Sequence, residues 1–566
     1  MRGTTILQST PKAPVIMSRL AAPVTGAIAL KLLLLFVLAW NSRFVMDEFW
    51  QLGQSKFLFE GLFDTMWPGK AVGFALFYEP VHWFGLEAGP TMLAGRLQTA
   101  LLACATVAMV YACARAIGED KTRSLLIVLV LLSFSTFMER IFRTISEPLA
   151  VFFAVGALLT VLRGNLDRRT PLFLAGVLAG LSFLATQKAV YFDVALGIAL
   201  LGDAILARRP LQGIRRGVWL VAGWMVPAVA YCLLFGGTNP LPVIENLFLA
   251  PLDMATRGGA EVYGGLRHYV WQTLSRNVVL YVACFAGVAV AMARIAILAR
   301  PARLALIFTV VTTGLVFAHS EPWPYVFIMA LPFLALWSLK AFDLLPSAGP
   351  SRRLALIALA ASVVLSFATN LHYLRFDNRA QLDLTARADA ILRSGDGYFD
   401  GIGMLPNRRE STPLWLDRRR ILFTLEQGKE SEAYRALRDS PPRVILWSYR
   451  LDAIQPVIDP LLQHRYVTVS PNIRMVGRHL IAGDLQTFDV PSSGRFMLYR
   501  ANGQPFRGEI EIDGVTHDTP VRLAAGTMQV RLRKGASEAF LLPDGLSATD
   551  IRPGPDDPGL FDGVYN

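Results

Sequence analysis

The run Asn41-Ser-Arg43-Phe-Val-Met-Asp47-Glu48-Phe-Trp-Gln51 follows directly on an apolar stretch at residues 21–40. A bilayer core about 30 Å thick takes about 20 apolar residues as one helix. Residues 21–40 therefore read as a first membrane span, with two acids standing at its mouth. The start does not read as a cleaved signal peptide. No A-x-A-like site follows Trp40, and the apolar run is succeeded by Asp47 and Glu48.

The rest of the chain agrees with a membrane reading. Of 566 residues, 53% are hydrophobic and only 17% are charged. Soluble domains carry about 25% charged residues, and the mean hydropathy here is +0.42. An ordinary cytosolic enzyme and a disordered chain are both excluded. The net charge of +12 does not point to nucleic acid, because the basic residues sit in short clusters between apolar runs. The four cysteines, Cys104, Cys113, Cys232 and Cys284, lie inside apolar runs with no CxxC and no His at metal spacing. A disulfide framework and a zinc site are not expected.

Eleven spans are predicted, at about 21–40, 92–116, 124–138, 147–163, 171–186, 189–207, 218–236, 278–298, 304–318, 324–340 and 354–371. The third and ninth are the weakest. Alternate loops carry the cations: Arg2, Lys12 and Arg19; Arg115, Lys121 and Arg123; Arg163, Arg168 and Arg169; Arg208, Arg209, Arg215 and Arg216; Arg294, Arg300 and Arg303; Lys340, Arg352 and Arg353. The positive-inside bias assigns these to the cytoplasm. The opposite set, 41–91, 139–146, around Lys188, 237–277, 319–323 and everything beyond 371, then faces outward. After His372 charged and turn residues become frequent. Alternating segments at Val444–Ser448, Phe496–Arg500, Glu509–Asp513 and Met528–Leu532, with a helical stretch at Ala386–Arg393, predict a soluble α/β domain with a β-rich end. Within it, Gly508–Leu532 reads as a hairpin turning at Asp513-Gly514. The division is 1–371 membrane domain, with first outward loop 41–91, and 372–566 soluble domain.

The outward loops hold the candidate chemistry. Around Asp47 and Glu48 stand Phe49, Trp50, Phe57, Phe59, Phe63, Trp67, Phe74, Phe77, Tyr78, Trp83 and Phe84, which read as amphipathic helices in the membrane interface. The structural alternative for the acids is a solvated helix end. The short loop Met138-Glu139-Arg140-Ile-Phe-Arg143-Thr-Ile-Ser146-Glu147 places two arginines where outward loops have few cations. They are either ion-paired with Glu139 or Glu147, or a seat for a phosphate, which Arg grips in bidentate fashion. His319-Ser320-Glu321, backed by Trp323 and Tyr325, is a third cluster, and Lys188 a fourth candidate cation or a snorkelling side chain. No G-x-S-x-G elbow, P-loop or dinucleotide fingerprint occurs, so nucleotide-driven pumping has no support.

These features resemble the GT-C glycosyltransferases, multi-span enzymes that use polyprenyl-phosphate sugars. An outward first loop opening with Asp47-Glu48 is similar to theirs. Arg143-Thr-Ile-Ser146-Glu147 resembles the arginine–threonine–x–serine motif of dolichol-dependent mannosyltransferases. Ala175-Gly176-Val-Leu-Ala-Gly180-Leu-Ser-Phe-Leu184 resembles their glycine-rich fifth span, and His319-Ser320-Glu321 with Tyr325 and Pro332 their histidine–lysine–glutamate signature. Two positions depart: Ser320 stands where a lysine is expected, and Pro322-Trp323 where an arginine is. The likeness covers residues 40 to 345. It implies a glycosyltransferase in which Asp47 is the general base for an acceptor hydroxyl. Glu48 would be the second choice, or a group orienting the acceptor or a divalent cation. Arg140, Arg143, Lys188 and His319 would seat the donor phosphate, Arg143 foremost, with Glu147 and Glu321 as further site residues. No cofactor beyond that cation is called for. The partners implied are a polyprenyl-phosphate-sugar lipid, a glycan, lipid or protein acceptor, and membrane lipids, with no nucleic acid. Arginine outnumbers lysine and no N-x-[ST] site occurs, which favours a bacterial inner membrane with a periplasmic C-terminal domain. The rival is a transporter or lipid flippase, which would often show two matching halves; none is visible. A membrane scaffold whose tail binds a partner is the third reading.

Overall fold

The structure is a computed structural model, and it describes residues 15–58, 71–250, 252, 266–346, 349–411 and 415–561. Phe59, Phe63, Trp67, Arg2 and Lys12 lie outside the described residues, as do parts of the outward loops 41–91 and 237–277.

Long apolar helices build the first two-thirds of the chain. Among the described residues seven are long and apolar enough to cross a membrane: Ala21–Asn41, Ala88–Ala116, Ser146–Arg163, Gln187–Leu206, Pro210–Gly236, Arg300–Phe317 and Pro350–Tyr373. The pair His268–Arg276 and Val278–Ala293, bent by 94°, makes an eighth if taken as one span. This many such helices make the chain a multi-pass membrane protein. The eleven predicted spans are therefore corrected to seven or eight long helices plus shorter apolar pieces. The third segment breaks at Phe134, whose ψ of 117° ends the helix Lys121–Ser133 and starts Ser135–Arg140. The fifth is the 17-residue helix Arg169–Ala185. The tenth is split into two 3-10 turns, Pro324–Met329 and Ser338–Leu344, around the five-residue helix Leu331–Ala335. Prolines at 324 and 332 withhold the backbone donors a continuous helix needs there.

The glycine-rich fifth segment has a packing reason. A Cβ on Gly176 would overlap the Leu220 carbonyl, and one on Gly223 the Phe173 carbonyl. Helices Arg169–Ala185 and Pro210–Gly236 thus touch backbone to backbone, as small-xxx-small faces do in membranes. Gly176→Ala should lower the thermal midpoint of the purified protein, at a cost of about 1–3 kcal/mol for overpacking. Gly197→Ala, with nothing within 4 Å of its added Cβ, should not; equal midpoints for the two variants would refute the close contact.

The helix ends sort into two faces. Asn41 reaches Leu374, Ala88 reaches Asp389, and Lys188 reaches Glu147 on one face. On the other, Glu119 pairs with Lys340 and Asp203 with Arg216, Arg300 and Arg303. Lys340, Arg216, Arg300 and Arg303 share that second face, at the helix ends away from the soluble domain.

Beyond Tyr373 the chain is soluble in character. A small mixed sheet has the order β1-β2-β4-β3, from β1 (Tyr398–Phe399), β2 (Val444–Leu446), β3 (Tyr466–Ser470) and β4 (Ile473–Val476). It is flanked by helices including Arg379–Ile391 and Tyr449–Leu462. Two antiparallel sheets follow. One runs β10-β9-β12-β6, from β6 (Gln486–Val490), β9 (Glu509–Ile512), β10 (Val515–Asp518) and β12 (Gly526–Lys534). The other runs β11-β7-β13-β5, from β5 (Arg478–Ile481), β7 (Gly494–Tyr499), β11 (Val521–Leu523) and β13 (Glu538–Pro543), with the short β8 (Pro505–Phe506) also paired to β7. Phe488, Phe496, Leu498, Ile510, Val530 and Leu541 fill the core between them. The predicted turn is present: Asp513 (φ 48°) and Gly514 (φ 87°) join β9 to β10 with Ile512 opposite Val515. Met528–Leu532 does not complete that hairpin. It lies in β12, on the other edge of β9.

Candidate functional site

The segment after the first long helix is strapped to the start of the soluble domain. Arg43 N–H donates to the Phe376 carbonyl (2.9 Å), Phe44 N–H to Gln381 Oε1 (2.7 Å), and Asn378 Nδ2 to the Trp40 carbonyl (2.8 Å). This fixes where the helix Met46–Phe57 begins. Asp47 and Glu48 occupy its first turn, where the positive helix end favours acids.

Glu48 is fully buried and fully engaged. Its Oε2 meets Arg96 Nε at 2.7 Å, and its Oε1 accepts from Arg96 Nη2 (2.7 Å), Arg143 Nη1 (2.9 Å) and the Val45 N–H (2.9 Å). Oε2 also accepts the Thr144 N–H at 3.2 Å. Burial pushes the carboxyl upward, but the two guanidinium groups outweigh it and hold it at about 2. Such a carboxylate stays ionised and is a poor proton acceptor. It ties the first-loop helix to the helix Ala88–Ala116 and to the Arg143-Thr144 loop. Arg96 was not singled out from the sequence. The signal was there: a cation near the start of an otherwise apolar span, which is costly unless paired.

Asp47 is half-buried, one residue earlier. Successive residues of a helix point about 100° apart, so its carboxylate leaves the helix in a different direction from that of Glu48.

A second group gathers Glu147, Lys188 and His319. Lys188 Nζ lies 2.7 Å from Glu147 Oε1 and 4.4 Å from the centre of the Tyr325 ring. His319 Nδ1 and Tyr191 Oη are 2.8 Å apart. Burial, then the Lys188 charge, pulls the His319 ring down to about 4, so it is a neutral hydrogen-bonding group near pH 7. The phenol of buried Tyr78 donates to the Ile145 carbonyl (3.1 Å), within electrostatic reach of both Glu48 and Glu147. Arg140 forms a third, with Glu139 (3.1 Å) and Arg276 on the same carboxylate (3.4 Å). Burial lowers Arg143 to about 10; Glu48 opposes the shift and the Arg140 charge adds to it. Glu321 is half-buried in the loop after His319.

The predicted interfacial aromatic belt is corrected. Phe49, Trp50, Phe74 and Tyr78 are buried, and Trp50 lies 5.3 Å from Trp415 of the soluble domain. Only Trp83 and Phe84 of the named rings described are strongly exposed, at 75% each. Phe49 packs on Phe561 and Trp50 on Trp415 of the soluble domain, whereas Tyr78 is held by Thr99 and the Ile145 carbonyl of the membrane domain. The acid pair also does not fit a divalent cation. Both Glu48 oxygens are held by guanidinium groups, which leaves one carboxylate, and no group of three His, Cys, Asp or Glu could hold a metal among the described residues. Tyr191, which meets His319, gives no sign in the sequence of belonging to the site.

Two families match parts of the soluble domain: domain of unknown function DUF7056 over residues 422–475 and domain of unknown function DUF7055 over residues 478–543. They meet where the mixed sheet gives way to the antiparallel ones. No curated protein matches the chain. Among solved structures the chain is similar to ArnT from Cupriavidus metallidurans bound to undecaprenyl phosphate. The TM-score is 0.56 at 14% identity, covering 81% of this chain and 98% of that one. The apo state of the same protein gives TM-score 0.55 at 14% identity, with the same coverage. The archaeal oligosaccharyltransferase AglB from Archaeoglobus fulgidus gives TM-score 0.47 at 9% identity, over 88% of this chain and 74% of that one. The chain thus shares the fold of the ArnT structures.

Proposed function

We propose that this protein is an integral-membrane glycosyltransferase that moves a sugar from a polyprenyl-phosphate donor to an acceptor hydroxyl. The reaction takes place on the face that carries the soluble domain. The observation that carries the reading is the pairing of an anchored acidic first turn with a cationic group nearby. Glu48, clamped by Arg96 and Arg143, fixes the turn that presents Asp47, and Lys188 and Arg140 are the cations, with neutral His319 beside Lys188, that would meet the phosphate. The ArnT structure, of the same fold, holds undecaprenyl phosphate, which supports a lipid phosphate as the donor's carrier.

In this reading Asp47 takes the proton of the acceptor hydroxyl as it attacks the sugar C1. The C1–O bond to phosphate breaks with its electron pair, and Lys188 and Arg140 stabilise the leaving phosphate. His319, neutral at pH 7, gives a hydrogen bond and no charge. Glu48 and Arg143 position the turn, and Arg143 reaches the phosphate only with what its bond to Glu48 leaves over. In-line attack by one base inverts the anomeric centre. Glu147 holds Lys188 in place, and Glu321 borders the group from the next loop. The soluble domain, 372–566, caps the membrane domain, 1–371, and orders the acceptor, which is a glycan, lipid or protein. The setting is a bacterial inner membrane, with the capped face periplasmic.

Lys188→Met should raise the KM for donor lipid about tenfold or more, the worth of one charge-assisted contact, and leave the acceptor KM unchanged. The reverse pattern would move the phosphate seat elsewhere. The reading as a whole is tested by mass analysis of cell-surface glycans with and without the intact chain. Unchanged glycans would refute it.

A further inference from the structure

The face opposite the soluble domain carries a cavity that the proposed transfer does not use. It has a volume of about 250 Å³ and lies between the segment 166–172 and the first turns of the helix Pro210–Gly236. Arg168, Arg169, Arg215 and Arg216 line it, together with Asp167 and Trp219. Four arginines and one aspartate thus line it. Arg216 is built in and not a loose surface cation: it is 7% exposed, 3.5 Å from Asp167 and 3.6 Å from Asp203. Asp203 cannot neutralise it alone, because Asp203 also pairs with Arg303 at 2.8 Å and Arg300 at 3.3 Å. The Arg169 guanidinium sits 4.9 Å from the Trp219 ring centre, which fixes a second wall. Two long helices, Arg169–Ala185 and Pro210–Gly236, begin at this cavity and add the positive ends of their dipoles.

We propose that this cavity binds the phosphate head group of an anionic phospholipid. Arginine forks and helix N-termini suit phosphate oxygens, and basic pockets between membrane helices bind anionic head groups. The choice of a lipid over a soluble anion rests on the rim. Leu211, Ile214 and Val218 on the Pro210–Gly236 helix are 79%, 60% and 60% exposed, and Leu174 is 49% exposed. An acyl chain therefore has an apolar face beside the cationic cavity. A free phosphate would gain nothing from that rim.

The test uses the full-length protein in phosphatidylcholine nanodiscs, with lipid retention read by native mass spectrometry. Phosphatidylglycerol should be retained in preference to phosphatidylcholine. The double variant Arg168→Gln with Arg215→Gln should lose retention about 30-fold, each surface arginine contributing roughly a factor of five. Both side chains are exposed, so the fold should survive. Arg168→Lys with Arg215→Lys checks this by keeping the charge and should lose less. Equal retention of the two lipids, or full retention in the double Gln variant, would overturn the proposal. Displacement of phosphatidylglycerol by an equal concentration of inorganic phosphate would overturn the lipid assignment. None of these readouts depends on sugar transfer.

Discussion

Asp47→Asn should lower kcat for sugar transfer by about 10²–10⁴-fold, the usual worth of a positioned general base, while the KM for both substrates stays close to that of the unmodified protein. The substitution removes the proton acceptor and keeps the shape of the side chain. The helix Met46–Phe57 should stay in place, because its start is held by Glu48, Arg96, Arg143 and the Val45 N–H, not by Asp47 alone. The thermal midpoint should therefore move little. Loss of activity with an unchanged midpoint marks a chemical role; loss of both would make Asp47 a structural acid. Retained transfer would remove Asp47 as the base. It would also leave no acid in this turn able to replace it, since Glu48 is held at about 2 by the very contacts that anchor it.

The sequence makes some of this legible and hides the rest for physical reasons. Apolar runs locate each of the long apolar helices among the described residues, because insertion energy depends on composition. They overcount full spans, because composition does not register a break such as that at Phe134 or the proline-interrupted turns from Pro324 to Leu344. The Asp513-Gly514 turn is read correctly because its left-handed backbone demands those residue types. The pairing beyond it is not, since β12 joins β9 and β6 through contacts far apart in sequence. At the site, the acids and the arginines of 139–147 are visible as exceptions to apolar surroundings. Which carboxylate meets which guanidinium is set by tertiary packing. Arg143, read as the foremost phosphate ligand, meets Glu48 at 2.9 Å, and Arg96, 48 residues from its partner, gives no local sign of the pair. The aromatic residues of the first loop have the composition of an interfacial belt, and a covering domain such as that bearing Trp415 leaves no trace in their own pattern.

The buried pair carries the second large expectation. Glu48→Gln should destabilise the folded protein by about 3–5 kcal/mol, the usual cost of removing one partner from a buried ion pair. Arg96 is 0% exposed and Arg143 is 5% exposed, so neither can recover its hydration when the countercharge is lost. Adding Arg96→Met to Glu48→Gln should recover part of the loss, because one stranded charge is then removed; additive losses would show that the two residues do not act as a unit. The sign with pH is fixed by the direction of the shift. Glu48 sits below its ordinary value near 4.5, at about 2, so its contribution is complete above about pH 4.5 and is lost as pH falls towards 2. The gap in thermal midpoint between the unmodified protein and Glu48→Gln should be constant from neutral pH down to about 4.5 and should narrow below it. A gap that instead narrowed on raising the pH from 4.5 to 7 would mean that Glu48 is protonated in the folded protein, and the anchored turn on which the role of Asp47 depends would have no ionic clamp.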